Sequence, residues 1–289
     1  MDKETVNNCY IIDESRHLLG VVSLRGIVMA REDARMQDIM ETNVISVTTQ
    51  EDQESVARLF SLYDLNVLPV VDTENRMVGI VTVDDAIDVI EEETTEDISK
   101  MAAITPSDRP YLKTSVWMLW KSRIPWLLLL MLSATFTGMI ITHFEGVLSF
   151  SIALTAAIPM LMDTGGNCGS QSSVTVIRGI SLGEIAFGDI FRVMWKEARV
   201  SVLCGVTLAA LNFAKLMLIN RVGFGVAAVI CLTLIVTVFA AKLVGCTLPL
   251  IAKKAGLDPA VMASPFITTI VDALSLFIYF RMAGTILGI

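Results

Sequence analysis

Histidine is almost missing from this 289-residue chain, which holds only His17 and His143. That disfavours a histidine metal centre or a Ser–His–Asp triad. The five cysteines (Cys9, Cys168, Cys204, Cys231, Cys246) are odd in number and show no Cys-x-x-Cys spacing. They read as small buried residues and not as a disulfide or zinc framework. No nucleophile–base pair and no phosphate-cradling loop appears, so enzyme activity is not expected. Met1-Asp2-Lys3-Glu4 is polar and acidic, so no signal peptide is expected there and the N-terminus is expected in the cytoplasm. Charge is sparse, at 18% against 54% hydrophobic residues. With a mean hydropathy of +0.64, the chain is too apolar for an ordinary soluble domain and reads as a membrane protein.

The charge that is present is unevenly divided. Residues 1–100 hold 22 acids and 8 Lys/Arg, whereas the remainder holds 8 acids and 14 Lys/Arg. An acidic soluble half is joined to an apolar half with basic loops. Such an acidic segment excludes nucleic acid as a partner but attracts divalent cations.

The soluble half contains a repeat. Residues 12–23 and 71–82 align without a gap at an offset of 59, pairing Asp13 with Asp72 and Gly20 with Gly79. Each copy reads as strand, polar turn, strand, and a helix is expected to follow over about 83–92. Between the copies, 36–40 and 54–63 carry helical spacing and 68–71 is a short apolar strand. Asp38-Ile39-Met40, Leu68-Pro69-Val70-Val71-Asp72 and Gly79-Ile80-Val81-Thr82-Val83-Asp84-Asp85 resemble the CBS domain, a β-α-β-β-α module that works as a pair. The copy at 34–91 is complete; the copy at 1–33 lacks its first strand and helix. The resemblance implies that Thr82 and Asp85 hold the ribose of ATP or another adenine nucleotide. The first copy has Ser23 but Gly26 in place of that Asp. A CBS pair that binds no nucleotide and only transmits conformation remains the alternative.

Eight acids follow within the fourteen residues 84–97. Asp85, Asp88, Glu92 and Glu96 recur along one side, a like-charge spacing that is unfavourable unless a cation screens it. Hard oxygen ligands suit Mg²⁺ or Ca²⁺; the plain alternative is a solubilising linker helix. Pro106 and Pro110 end the segment.

Five apolar stretches come next, beginning near 124–142, 146–162, 200–214, 222–241 and 259–289. Lys/Arg in the loops on the soluble side set an orientation with the N-terminus inside and, for five spans, the C-terminus outside. The last stretch carries one acid, Asp272. At mid-bilayer a carboxylate costs roughly 2.5–3.5 kcal/mol, so it must face protein or water. Ser264, Thr268, Asp272, Ser275 and Tyr279 share one helix face, as in the wall of a cation pathway. The alternative is a structural Asp paired with a buried Lys or Arg. A second polar island, Asp163-Thr164-Gly165-Gly166-Asn167-Cys168-Gly169-Ser170-Gln171, reads as a locally distorted helix whose freed carbonyls line a cavity, with close packing by small residues as the alternative.

Together with Phe144-Glu145-Gly146-Val147-Leu148, Gly256-Leu257-Asp258-Pro259-Ala260 and Asp272, the island resembles the MgtE family of magnesium channels and transporters in motif order over almost the whole chain. The resemblance implies a multi-domain membrane protein. An α/β CBS region (1–33 and 34–91) and an acidic connecting segment (92–113) lead to an all-α pore domain of five helices per subunit (114–289). It implies a homodimer in the cell membrane, with Mg²⁺ as the ion and lipid as surroundings. Asp272, Thr268, Ser264, Asp163, Gly165, Gly166, Asn167 and Gln171 then fall on the pore. Asp85, Asp88, Glu93, Glu96, Asp97 and Asp258 fall on regulatory Mg²⁺ sites. Lys242 stands in a span where the family commonly has a small polar residue, and its partner is not legible. Other readings are a transporter of Co²⁺ or Mn²⁺, a Mg²⁺ efflux carrier, or a membrane sensor that reads nucleotide without transport.

Overall fold

The computed structural model describes residues 7–107 and 109–288. Contacts divide the chain into two compact units, Met1–Thr95 and Glu96–Ile289.

In the first unit, strands β1 (Asn8–Ile12) and β2 (Leu18–Ser23) form an antiparallel hairpin, followed by helices α1 (Leu24–Met29) and α2 (Met36–Ile39). Strand β3 (Val47–Thr48) pairs parallel with β4 (Val67–Val71), and β4 pairs antiparallel with β5 (Met77–Thr82). Helix α3 (Gln53–Tyr63) bridges β3 and β4. Asp52 caps it by accepting the Ser55 N–H at 3.2 Å, and Asp64 ends it in the left-handed region at φ 51°. Val47, Ala57, Phe60, Leu68 and Ala86 make the core of this unit.

The sequence repeat is a structural repeat. Asp13 Oδ1 accepts the N–H groups of Ser15 and His17, each at 2.8 Å. Asp72 Oδ1 accepts those of Glu74 and Arg76, at 2.9 and 2.8 Å. Arg16 and Asn75 occupy the same left-handed position, at φ 68° and 62°. An aspartate at the start of a tight turn bonds to backbone two to four residues on, so this geometry is local. The copies also meet symmetrically. His17 bridges Arg76, the Leu18 N–H donates to the Asn75 carbonyl at 3.1 Å, and the Met77 N–H donates to the Arg16 carbonyl at 2.8 Å. An approximate two-fold axis therefore passes between His17 and Arg76.

The helix expected over about 83–92 continues without interruption as α4 (Val83–Met101), because 92–101 contains no Gly or Pro to stop it.

The second unit holds α5 (Val116–His143), the short α6 (Glu145–Leu148), α7 (Ile152–Ser181), α8 (Ile190–Leu218), α9 (Phe224–Lys254) and α10 (Ser264–Leu287). The expected five spans are not all matched. Among the described residues, four helices are long and apolar enough to cross a membrane: Val116–His143, Phe187–Leu218, Phe224–Lys254 and Pro259–Leu287. The long helix outside that set is α7, whose island dilutes its apolarity. Nor does 146–162 form one stretch. The chain breaks after α6, and Ser151 restarts the helix by accepting the Ala153 N–H at 3.3 Å. Helices α7, α9 and α10 pack together, α8 packs on α9, and α5 lies against α10 with no buried residue of its own. Leu154, Leu161, Ile230, Leu234, Ile267, Leu276 and Phe280 fill the centre.

Small residues let α7 and α9 touch. A Cβ on Gly245 would land on the Gly169 backbone, and one on Gly169 would lie 3.3 Å from the Ala241 carbonyl. Gly245→Ala is expected to force the helices apart and destabilise the unit by about 1–3 kcal/mol. Thermal unfolding in detergent checks this; an unchanged midpoint would show that the crossing has slack.

Candidate functional site

Asp272 lies in the third turn of α10, which carries Pro265 in its first turn. Its polar face changes character along the helix. Toward the C-terminus Ser275 and Tyr279 are sealed, at 1% and 0% exposure. The Tyr279 hydroxyl donates to the Leu154 carbonyl of α7 at 2.9 Å, as a buried phenol requires. Toward the N-terminus Thr268 and Asp272 are only half-buried. The Thr268 hydroxyl donates back to the Pro265 carbonyl at 3.0 Å. The side chain of Ser264 lies outside the described ones. Among the described residues Asp272 makes no ion pair.

The island is not distorted. α7 runs as one helix from Ile152 to Ser181, through Pro159 and all three glycines. Its carbonyls stay in the helical ladder, so Gly165 and Gly166 present no freed oxygens. They serve close approach. A Cβ on Gly165 would lie 2.8 Å from Ser275 Oγ, and one on Gly166 would lie 3.0 Å from Thr268 Cγ2. The two faces of α7 then differ sharply. Gly165, Gly166, Cys168 and Gly169 are buried, whereas Asp163, Asn167 and Gln171, at i, i+4 and i+8, form an exposed polar line. Packing through the glycines thus sets that line beside the half-open stretch of α10 carrying Thr268 and Asp272.

Sequence reasoning missed the partner of Lys242. This lysine is 5% exposed, and its Nζ lies 3.7 Å from Glu197 Oε2 of α8 and 3.3 Å from Ser172 Oγ of α7. Ser172 donates to Glu197 Oε2 at 2.5 Å. An unpaired ammonium in this bundle would be expensive. The available signal was Glu197 itself, an acid in the basic start of α8.

The acids expected to be regulatory are distributed over both units. In the first, Asp85 Oδ2 accepts from the Thr82 hydroxyl at 2.9 Å and from its N–H at 3.3 Å, so the expected ribose-binding pair binds itself. In the first copy the direction is reversed, and the Gly26 N–H donates to Ser23 Oγ at 3.0 Å. A cleft of about 290 Å³ beside Asp85 is lined by Thr48, Glu51, Gln53, Val70 and Val81. Asp88 is exposed, and Glu93 accepts from Gln53 Nε2 at 2.9 Å. In the second unit, Asp97 accepts from Ser181 Oγ at 3.5 Å. Lys100 pairs with both Glu96 and Asp258. Burial opposes the charge on Lys100, but the bonds to Asp258 and Glu96 outweigh it and hold the ammonium above its ordinary range. The donors are hard oxygens of the kind Mg²⁺ prefers, yet among the described residues no three acid, His or Cys side chains converge to hold a metal.

Residues 158–282 match the MgtE family, described as a divalent cation transporter, and residues 36–92 match the CBS domain. The chain is 40% identical to the magnesium transporter MgtE of Thermus thermophilus over 99% of its own length and 63% of that protein. It is 40% identical to the namesake of Bacillus subtilis over 97% of its length and 61% of that protein. It thus spans about three-fifths of the curated relatives it matches. Among solved structures, the cytosolic domain of the Mg²⁺ channel MgtE in complex with ATP is 52% identical over 30% of this chain and 36% of that one, at a TM-score of 0.30. With an MgtE-family match over α7–α10, a CBS match before it and 40% identity along nearly its whole length, the chain carries an MgtE-family domain and is similar to MgtE magnesium transporters.

Proposed function

We propose that two copies of this chain form a Mg²⁺ pathway through the cell membrane, each contributing the polar line of α7 and the Asp272 face of α10. The observation that carries this reading is Asp272, half-buried in an apolar helix with no cationic partner among the described residues, on the helix that packs against the glycines of α7. One copy offers an open, one-sided wall; a symmetry mate supplies the opposite wall and a second Asp272. Mg²⁺ keeps most of its water and takes one or two carboxylates, so Asn167, Gln171 and Thr268 serve a hydrated ion as outer hydrogen-bond partners.

In this reading the CBS copies at 1–33 and 34–91 and the connecting segment at 92–113 lie in the cytoplasm. The pore domain at 114–289 places the C-terminus outside, with α7 crossing as the fifth span, sheltered by α9 and α10. The magnesium transporters that the chain resembles support the choice of ion. An adenine nucleotide at the cleft beside Asp85 belongs to the same proposal; its binding requires Thr82 to exchange its bond with Asp85.

Asp85, Asp88, Glu93, Glu96 and Asp97 supply the gate. Without bound cations the paired acidic helices repel within a Debye length of about 8 Å. Bound divalent cations supply the charge that lets these carboxylates approach, and differential affinity for that state shifts the equilibrium toward closure. The test is Mg²⁺ conductance of the full chain in proteoliposomes against cytosolic Mg²⁺, with Asp88→Asn, Glu93→Gln and Asp97→Asn combined. The variant is expected to close only at about tenfold higher Mg²⁺, within the usual range of coupling energies. Closure at the parent's concentration would exclude these acids, and no Mg²⁺ flux in the parent would exclude the pathway.

A further inference from the structure

We propose that Lys100 is a tethered cation filling the gap between Glu96 and Asp258, so that a divalent cation reaching these acids must first displace it. The inference rests on the regulatory role proposed for the two carboxylates.

The geometry is built from three parts. Glu96 and Lys100 lie one turn apart on α4, where side chains at i and i+4 face each other. Asp258 is held by its own loop: its Oδ1 accepts the Ala260 N–H at 2.8 Å and caps the short turn Pro259–Met262. That leaves Oδ2, which takes the Lys100 ammonium at 2.5 Å. Lys100 and Asp258 stand 158 residues apart in the chain, and the two acids meet through this ammonium.

Bridging two carboxylates from separate segments is the task assigned to a divalent cation at such a site. Here one positive charge already performs it, covalently attached and therefore present at high effective concentration. The ammonium cannot be washed out or chelated. The contact between the end of α4 and the loop before α10 therefore forms without metal, and the local affinity for Mg²⁺ is reduced by the cost of expelling Lys100. Lys100 is a positioning residue in this arrangement: it holds Glu96 and Asp258 at bridging distance and sets how much divalent cation replaces it.

Binding of Mn²⁺ to the full chain in detergent tests this, with free Mn²⁺ read by electron paramagnetic resonance and no transport measured. Lys100→Gln is expected to gain one site per subunit that binds Mn²⁺ about tenfold more tightly than the parent, since the competing charge has gone. Lys100→Ala should behave alike and serves if Lys100→Gln folds poorly. Lys100→Arg should keep the parental affinity, and Asp258→Asn added to Lys100→Gln should abolish the gain. Unchanged Mn²⁺ affinity in both neutral variants, or a gain that survives Asp258→Asn, would overturn the proposal. Because the readout is binding, a chain that failed to conduct Mg²⁺ would leave this result intact.

Discussion

Asp272→Asn is expected to reduce Mg²⁺ flux by ~10²-fold or more while leaving the fold in place, since losing the carboxylate of each copy from the pathway removes several kcal/mol, on the order of 10²-fold, of attraction for a dication. The substitution keeps the shape of the side chain. It also removes an intramembrane charge, so the variant should be no less stable than the parent. Loss of flux with preserved thermal unfolding therefore separates a pore role from a structural one. Asp272→Glu retains the charge and should retain part of the flux. Uptake into proteoliposomes, followed with an entrapped Mg²⁺ dye, reads all three proteins. Parental uptake by Asp272→Asn would remove Asp272 from the pathway.

Glu197→Gln should have the largest effect on stability. It leaves the Lys242 ammonium, 5% exposed, with only the Ser172 hydroxyl, 3.3 Å away, as a polar partner among the described residues. Breaking a buried pair from one side costs about 3–5 kcal/mol, because the surviving charge stays desolvated. Lys242→Met in the same chain removes that charge and should recover most of the loss. A double-mutant cycle on thermal unfolding in detergent measures the coupling. If the two single losses simply add, the ion pair does not exist in the folded protein. The cycle also bears on transport. Glu197 neutralises a fixed positive charge next to the α7 island, so Glu197→Gln should depress cation flux, and the double variant should restore it.

The sequence by itself determined whatever depends on neighbours along the chain. The twin turns at Asp13 and Asp72 were legible because an aspartate bonds to backbone within four residues. The acid run from Asp84 to Asp97 lay on a helix because nothing in it stops one. Asp272 stood out because one charge in an apolar span is costly enough to need a reason. What only the tertiary structure decided involves residues far apart. The island looked distorted from its glycines. Gly165 and Gly166 instead let α10 approach α7, and Gly169 meets Gly245 of α9, so the helix stays regular. The polar face of α10 looked continuous but is sealed from Ser275 onward by Tyr279 bonding to Leu154, 125 residues away. The partner of Lys242 on α7 lies 70 residues distant, and Lys100 and Asp258 are 158 residues apart. Hydrophobic period and local capping carry no information about which helix crosses which. That choice follows from where small side chains allow two backbones to touch, and the buried charges then pair with whatever the crossing brings within reach.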